Sequence, residues 1–429
     1  MIAEIEDYVR SLGLDAYLVG GAVRDELLGL ESKDADFLVP GVDTDGLRAA
    51  LEPHGRVEEL VVAGRLVGVR LHPRDARVRS LAPAGIEFAP PRKEVSTGPG
   101  RHDFEIVADP SLPVEDDMRR RDFTVNAMAR RLEDGTIVDP FDGRADLAHA
   151  VLCAVSDTSF AEDPLRLMRA LRFVSQLGFD LDDRTREQMV EEAAAVKLVS
   201  GERLSEELSK LLLGALPAKA LRIARETGVL VQLIPEFGPA DEYAEHVFRV
   251  VQETADAGDE LAVRLAALFH DLGKPVDPDP LGHAQVGAGI AHATLERLRY
   301  PTRLVRRVTA IVREHPYHEE TRPRTPPQVR RFLMEHGDEL AFDLVAHRRA
   351  DLRAKGRDTS GVDELQAALE RELDSPHRLS DLAVDGNDLI ELGVAPGPGL
   401  GLALQELLEA VVDDPSLNTR ERLLERVRT

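Results

Sequence analysis

Residues 17–39 read YLVGGAVRDELLGLESKDADFLV. The apolar run Tyr17–Val19 reads as a short strand, Gly20-Gly21 as a turn, and Ala22–Gly29 as a helix opening on that turn. A strand–glycine–helix unit aims free backbone N–H groups and the positive end of a helix dipole at one spot, which suits phosphate. Arg24, one turn into the helix, adds a permanent positive charge. The chain returns through Asp34-Ala35-Asp36-Phe37-Leu38-Val39, a second strand pattern. Residues i and i+2 of a strand share a face, so Asp34 and Asp36 are expected side by side. Two adjacent carboxylates can hold two divalent cations roughly 3.5–4 Å apart for in-line displacement at phosphorus. Singly, an Asp-x-Asp or a Gly-Gly more often marks ordinary structure. Together, in strand–turn–helix–strand order, they predict nucleotidyl transfer.

This stretch resembles the signature of the nucleotidyltransferase superfamily in its class II tRNA form, the CCA-adding enzymes and their bacterial poly(A) polymerase relatives. The pattern LVGG-x-VRD-x-LLG followed by D-x-D is matched position by position from Leu18 to Gly29 and at Asp34 and Asp36. The resemblance implies that Asp34 and Asp36 are catalytic and hold Mg2+, and that Gly20, Gly21 and Arg24 hold the triphosphate.

The bulk composition sets limits on this reading. At 429 residues the chain has material for about three domains, and 43% apolar residues is ordinary for a globular protein. No apolar run reaches about 18 residues and MIAEIEDYVR is an amphipathic, acidic start, so neither a membrane span nor a signal peptide is expected and the location implied is cytoplasmic. The single cysteine, Cys153, excludes internal disulfides and cysteine-based zinc clusters. A net charge of −24 argues against a general polyanion binder. The arginines nevertheless cluster at Arg119–Arg121, Arg130-Arg131, Arg303–Arg307, Arg330-Arg331 and Arg348–Arg357. Such stripes can carry tRNA locally, or can be helix faces paired with the many acids. No feature sets an oligomeric state.

Further along, residues 1–12 and Asp43–Leu51 read as helices, and Arg56–Ala63 with Leu66–Leu71 as a hairpin. Ile86-Glu87-Phe88 reads as a strand where the family often carries a further acidic position, which makes Glu87 a candidate accessory carboxylate. Pro90–His102 (PPRKEVSTGPGRH) lacks periodicity and is expected to be a mobile loop. It occupies the place of the family's flexible loop, which the CC-adding subtype lacks.

The segment EDDMRRRDFTVNAMARR (Glu115–Arg131) resembles the family's second motif, RRDFT-x-NAMA. A helix carrying an Arg–Asp pair can hydrogen-bond ribose hydroxyls. The resemblance implies that Arg121 and Asp122 read the sugar, selecting ribose over deoxyribose, and that Asn126 belongs to the nucleotide-binding set. Asp139-Pro140-Phe141-Asp142-Gly143 is a turn-forming pentapeptide. It resembles the third motif, a hinge between head and neck.

Glu162-Asp163-Pro164-Leu165-Arg166 follows, with Arg169 and Arg172 spaced about one turn apart. On one helix Glu162, Asp163 and Arg166 would share a face. In isolation these residues suit an ordinary helix start, with acids first and bases later. EDPLR also resembles the family's nucleobase-reading motif, E-D-x-x-R. An Arg can donate to a base's ring nitrogen or carbonyl while an Asp accepts from its exocyclic amine. Cytosine and adenine both present an amine beside an acceptor. The resemblance therefore implies that Asp163 and Arg166 read the base, with Glu162 steadying Arg166, and that Arg169 and Arg172 extend the nucleotide-binding stripe.

Between Asp241 and Arg357 lies a second constellation: His246, then Phe269-His270-Asp271-Leu272-Gly273-Lys274, His283, His315 and Asp351. Imidazoles and carboxylates spaced on successive helices suit a divalent transition metal. The His-Asp pair resembles the HD metal-dependent phosphohydrolase superfamily. That implies His246, His270, Asp271 and Asp351 as metal ligands, with His283 and His315 as second-metal or phosphate contacts. The tail 382–429, with Pro396-Gly397-Pro398-Gly399 between helical segments, looks like the family's tRNA-directed tail.

The expectation is an α+β protein. A small mixed α/β nucleotidyltransferase head (1–145) is followed by an all-helical neck (146–235), HD body (236–360) and tail (361–429). Its expected activity is template-independent addition of CMP and AMP from CTP and ATP to tRNA, with an accessory HD phosphohydrolase. The alternatives are an A-adding-only enzyme or poly(A) polymerase and, in another class, an HD phosphohydrolase with an RNA-binding head.

Overall fold

The computed structural model describes residues 2–31, 35–62, 64–96, 104–238, 243–316 and 325–428. It divides into two compact units, Met1–Pro235 and Glu236–Thr429.

The first unit is built on a mixed seven-stranded sheet. Its strands are β1 (Tyr17–Val19), β2 (Asp36–Leu38), β3 (Gly55–Val62), β4 (Arg65–Pro73) and β5 (Ile86–Ala89), then, beyond the pair β6 (Arg92–Ser96) and β7 (Phe104–Ala108), β8 (Ala129–Arg131) and β9 (Ile137–Val138). The order is β3-β4-β5-β2-β1-β8-β9. β1 runs antiparallel to β2 and β8, and β2 runs parallel to β5. Leu18, Phe37 and Phe88 are fully buried, and the rings of Phe37 and Phe88 stack 5.6 Å apart. Those apolar strand centres fix the register. The helix Gly21–Leu27 opens directly from β1, as the glycine turn predicts.

β6 and β7 form a separate two-stranded antiparallel pair. The first part of the segment expected to be a loop, 92–96, is therefore a strand. Backbone pairing with 104–108 outweighs its Gly- and Pro-rich composition, while 97–103 lie outside the described residues. After the head, the helix Leu165–Leu177 buries Leu167, Met168, Leu171 and Val174 on one face, and Gly178 (φ 75°) ends it.

The second unit is helical. From Ala262 to Phe269 every residue of the helix Leu261–Phe269 is buried, which makes it the centre of the bundle. Around it pack Ala244–Asp256, Pro280–Arg297, Thr302–Glu314 and Asp338–Ala354. The C-terminal helices Gly386–Glu391, Pro398–Asp413 and Arg420–Arg428 share a small core of Val384, Leu389, Leu407, Val411 and Leu423.

Candidate active sites in the head and in the helical body

Asp36 opens β2, and Asp34 lies outside the described residues. In the antiparallel register, the end of β1 that runs into Gly20 lies beside the start of β2 at Asp36. In the parallel register, Asp36 stands opposite Glu87. Paired positions in a sheet point to the same face, so the two carboxylates sit on one face at neighbouring strands. Arg70 binds Glu87 through Nε at 3.2 Å and through Nη2. This donor set, acids at the mouth of a glycine turn, fits a hard divalent cation.

Gly20 has φ 73°, a conformation that favours glycine, and a Cβ there would lie 2.4 Å from Nη1 of Arg121. The missing side chain is the seat of that guanidinium. Arg121 also contacts the fully buried Asp117 (Nη2–Oδ2 3.4 Å), which Arg120 binds at 2.9 Å. Burial alone would raise the Asp117 carboxyl, but Arg120 and Arg121 hold it below its ordinary range.

Arg24 is buried and committed to structure. Its Nη1 donates to Asn126 Oδ1 at 2.8 Å, and Nε and Nη2 donate to Asp25 at 2.9 and 2.6 Å. Asn126 in turn donates to Asp122 Oδ1 at 3.0 Å, and Arg169 grips Oδ2 of Asp122 at 2.7 and 2.5 Å. Burial opposes ionisation of Asp122, yet Arg169 and Asn126 bring its pKa down to about 2. Arg172 faces the buried Glu207 at 3.2 Å. The guanidinium carbons of Arg24, Arg169 and Arg172 lie 5.1, 5.6 and 4.3 Å from the ring centre of Phe173. The apolar ring thus spaces three cations around one wall.

Two local expectations change. Arg121 and Asp122 are not on a helix: the helix Val114–Arg119 ends before them, and a 3-10 turn, Thr124–Asn126, follows. Glu162, Asp163 and Arg166 do not share one helix either. A short helix, Ser159–Glu162, stops at Asp163 (φ −139°, ψ 99°), and the next begins at Leu165. The cause is Pro164, which disfavours a helical residue before it. Arg166 therefore turns inward, donating to Ser159 O (3.2 Å), Ser159 Oγ (2.9 Å) and Arg120 O (2.6 Å), with Glu162 at 3.5 Å. Asp163 is held from the helix Gly201–Leu212 by Arg203. Nothing in the local pattern marked Arg203 or Glu207, because their partners Asp163 and Arg172 lie elsewhere in the sequence. Asp117 beside Arg120 and Arg121, and Phe173 beside Arg169 and Arg172, stand within one helical turn of their partners and were local signals.

In the second unit the expected ligands converge. His270 and Asp271 end the central helix, where Gly273 allows the next helix to close in: a Cβ there would lie 2.0 Å from the carbonyl oxygen of His283. His246, His270 and Asp271 bring one donor atom each within 4.8 Å of one another, as do Asp271, His283 and His315. Asp271 belongs to both sets. Its Oδ2 lies 3.7 Å from His246 and 3.3 Å from His270, while Oδ1 lies 3.6 Å from His283 and 4.0 Å from His315. Asp351 meets His246 at 3.0 Å. His270 Nε2 is buried and forms no hydrogen bond despite the nearby carboxylate. This unpaired nitrogen lies 3.3 Å from Asp271 Oδ2, close enough for both to bind one cation.

Lys274 reaches Asp271, and Lys355 and Arg348 reach Asp351, at 2.5–3.0 Å. Burial would raise both carboxyls, but His270 and Lys274 at Asp271, and His246, His270 and Lys355 at Asp351, hold them far below the ordinary range. Burial, reinforced by His270, drops His315 to about 3 and His347 well below its ordinary value, so both offer neutral lone pairs. His347, one turn before Asp351, was missed, although its H-x-x-x-D spacing on one helix face was a usable signal.

Of the arginine clusters, several members serve the fold. Arg307 binds Asp343 and Glu260, and the buried Arg330 binds Glu372 and the carbonyl of Val412.

A nucleotidyltransferase-type head followed in one chain by a histidine- and aspartate-lined helical body defines the class. Three domain families match in that order: "Poly A polymerase head domain" over 16–153, "Probable RNA and SrmB- binding site of polymerase A" over 178–240, and "HD domain" over 243–366. The multifunctional CCA protein of Laribacter hongkongensis is 35% identical over 343 residues, 75% of this chain and 80% of its own. That of Methylococcus capsulatus is 34% identical over 428 residues, covering 93% and 94%. Among solved structures, the Bacillus stearothermophilus CCA-adding enzyme in complex with CTP superposes with a TM-score of 0.72 at 27% identity, covering 99% of this chain and 95% of that one. The Thermotoga maritima CCA-adding enzyme complexed with tRNA shares the fold (TM-score 0.65, 21% identity, 99% and 93% covered). The chain belongs to the multifunctional CCA protein family of tRNA nucleotidyltransferases. Among the described residues, no helix is long and apolar enough to cross a membrane.

Proposed function

We propose that the head adds CMP and AMP to the 3′ end of tRNA, using CTP and ATP and no nucleic-acid template, in the cytoplasm. The observation that carries this reading is the meeting of Asp36, Glu87 and the Gly20 turn at one end of the adjacent central strands β5, β2 and β1. Asp34 and Asp36 hold Mg2+, with Glu87 as an accessory carboxylate. Mg2+ held by these carboxylates would supply Lewis-acid chemistry, polarising the α-phosphate and acidifying the primer 3′-hydroxyl. Arg121, seated against Gly20, and Asp122, locked by Arg169 and Asn126, meet the ribose. Asp163 and Arg166 read the base; Arg203 and Glu162 orient them. Gly21 presents its backbone N–H to the triphosphate, beside the cationic wall of Arg24, Arg169 and Arg172. The N–H of Gly20 is held by the carbonyl of Met128, and Gly20 serves by its missing side chain.

The test is to incubate tRNA lacking CCA, tRNA ending in CC, and unrelated RNA with each NTP and to sequence the products. Completion of CCA on the first, and a single A on the second, is expected. Addition of A alone, or of long A tracts on unrelated RNA, would instead assign an A-adding enzyme or a poly(A) polymerase.

A second activity is supported by the two ligand sets that share Asp271. We assign to the helical body a phosphohydrolase that holds divalent transition metal at His246, His270, Asp271 and Asp351, with His283 and His315 on the other oxygen of Asp271. Phosphomonoesters and 2′,3′-cyclic phosphates are its substrate class. A cyclic phosphate on a damaged tRNA would block the 3′-hydroxyl that the head requires.

A further inference from the structure

His347 lies inside the cluster but outside both ligand sets. Its side chain is 1% exposed, and its Nε2 has no hydrogen-bond partner among the described residues. The ring stands 5.0 Å from that of His270 and 5.6 Å from that of His315, one residue from each half of the centre. It projects from the helix Asp338–Ala354, one turn before Asp351.

A buried ring nitrogen with no partner costs free energy that an apolar side chain avoids. His347 joins neither of the two sets of mutually close donor atoms, so it stands as a neighbour of the ligands rather than as one of them. A bound water would satisfy Nε2, because a buried water takes two to four polar partners and an imidazole nitrogen supplies one.

We propose that His347 is a further, positioning residue of this centre, its Nε2 holding a water that bridges to a divalent transition cation seated against Asp271. The inference rests on the metal-binding reading of the helical body given above. It assigns a role in cation affinity to a side chain that is not itself a ligand. Partners at that remove typically change metal affinity about 10–100-fold when lost.

The full chain, stripped with a chelator, is titrated with Ni2+ and with Co2+ by calorimetry, and its metal content is measured after dialysis at fixed free metal. His347→Phe is expected to bind each cation about 10–100-fold more weakly. Its metal-free unfolding midpoint should equal or exceed that of wild type, because an unpaired nitrogen has been removed. A purely packing role predicts the reverse pair of results: unchanged affinity and a lowered metal-free midpoint. Unchanged affinity in His347→Phe overturns the role of His347 while leaving the metal centre standing. A wild-type chain that takes up neither cation overturns the metal centre, and this inference with it. Should the Phe variant not fold, His347→Gln and His347→Leu carry the same comparison. Gln, whose amide can reach the Nε2 position, should bind within a few-fold of wild type and Leu about 10–100-fold more weakly; equal binding by the two overturns the proposal.

Discussion

Arg203 meets Asp163 at two points, Nη2–Oδ2 at 3.0 Å and Nη1–Oδ1 at 3.4 Å, from a helix forty residues away. The carboxylate that sequence spacing couples to Arg166 is thus oriented by a different guanidinium, while Arg166 is anchored to Ser159 and to the backbone of Arg120. If Asp163 reads the exocyclic amine of the incoming base, Arg203 sets the angle at which it does so.

Arg203→Ala should therefore relax base choice. Loss of one well-oriented contact is worth about 1–3 kcal/mol of discrimination. Single-turnover incorporation of CTP, ATP, UTP and GTP on tRNA acceptors measures it. A variant that is slower but equally selective would show that Asp163 needs no such partner.

Arg166→Ala should lower stability as well as selectivity. It leaves the Ser159 hydroxyl and the Arg120 carbonyl without their donor in a buried site, at about 1–3 kcal/mol. Urea unfolding checks the first effect and misincorporation of UTP and GTP the second.

Asp36→Ala should abolish both CMP and AMP incorporation and leave tRNA affinity within a few-fold. Glu87→Gln should cost less, because Arg70 already engages that carboxylate. Substantial transfer by Asp36→Ala in excess Mg2+ would remove Asp36 from the catalytic pair.

The Asp122–Arg169 pair makes a pH-dependent contribution to stability. The folded pKa of about 2 lies below the ordinary 3.8, so the contribution is complete above about pH 4 and is lost as pH falls toward 2. Its size is about 2 kcal/mol from that separation. The difference in unfolding free energy between wild type and Asp122→Asn, followed from pH 5 to pH 2, should shrink by this amount. A difference that is flat across the range would mean that Asp122 is not ionised by its neighbours.

The double variant His270→Ala, Asp271→Ala should lose bound transition metal and phosphoester hydrolysis, yet add nucleotides normally to tRNA with a free 3′-hydroxyl. Its residues lie in the second compact unit and those of nucleotide addition in the first. Loss of nucleotide addition in a folded double variant would show that the two sites are not independent.

The sequence by itself determined the elements and the two chemistries. The strand–Gly-Gly–helix unit, the acidic strand and the His-Asp pair at the end of an apolar helix are local patterns, set by backbone preference and side-chain periodicity. Local sequence also contained the break at Asp163-Pro164, but the reading of one continuous helix overrode it. Tertiary structure alone decided the partners. Arg24 with Asn126, Asp122 with Arg169 and Asp163 with Arg203 are separated by 102, 47 and 40 residues. The convergence of His246, His270, His283, His315 and His347 on one bundle centre likewise needs four helices beside the central one. Which charge meets which is set by how buried apolar faces dock, since a desolvated ion must be paired wherever packing leaves it. Single-chain spacing carries no record of that docking beyond the reach of one helix or strand.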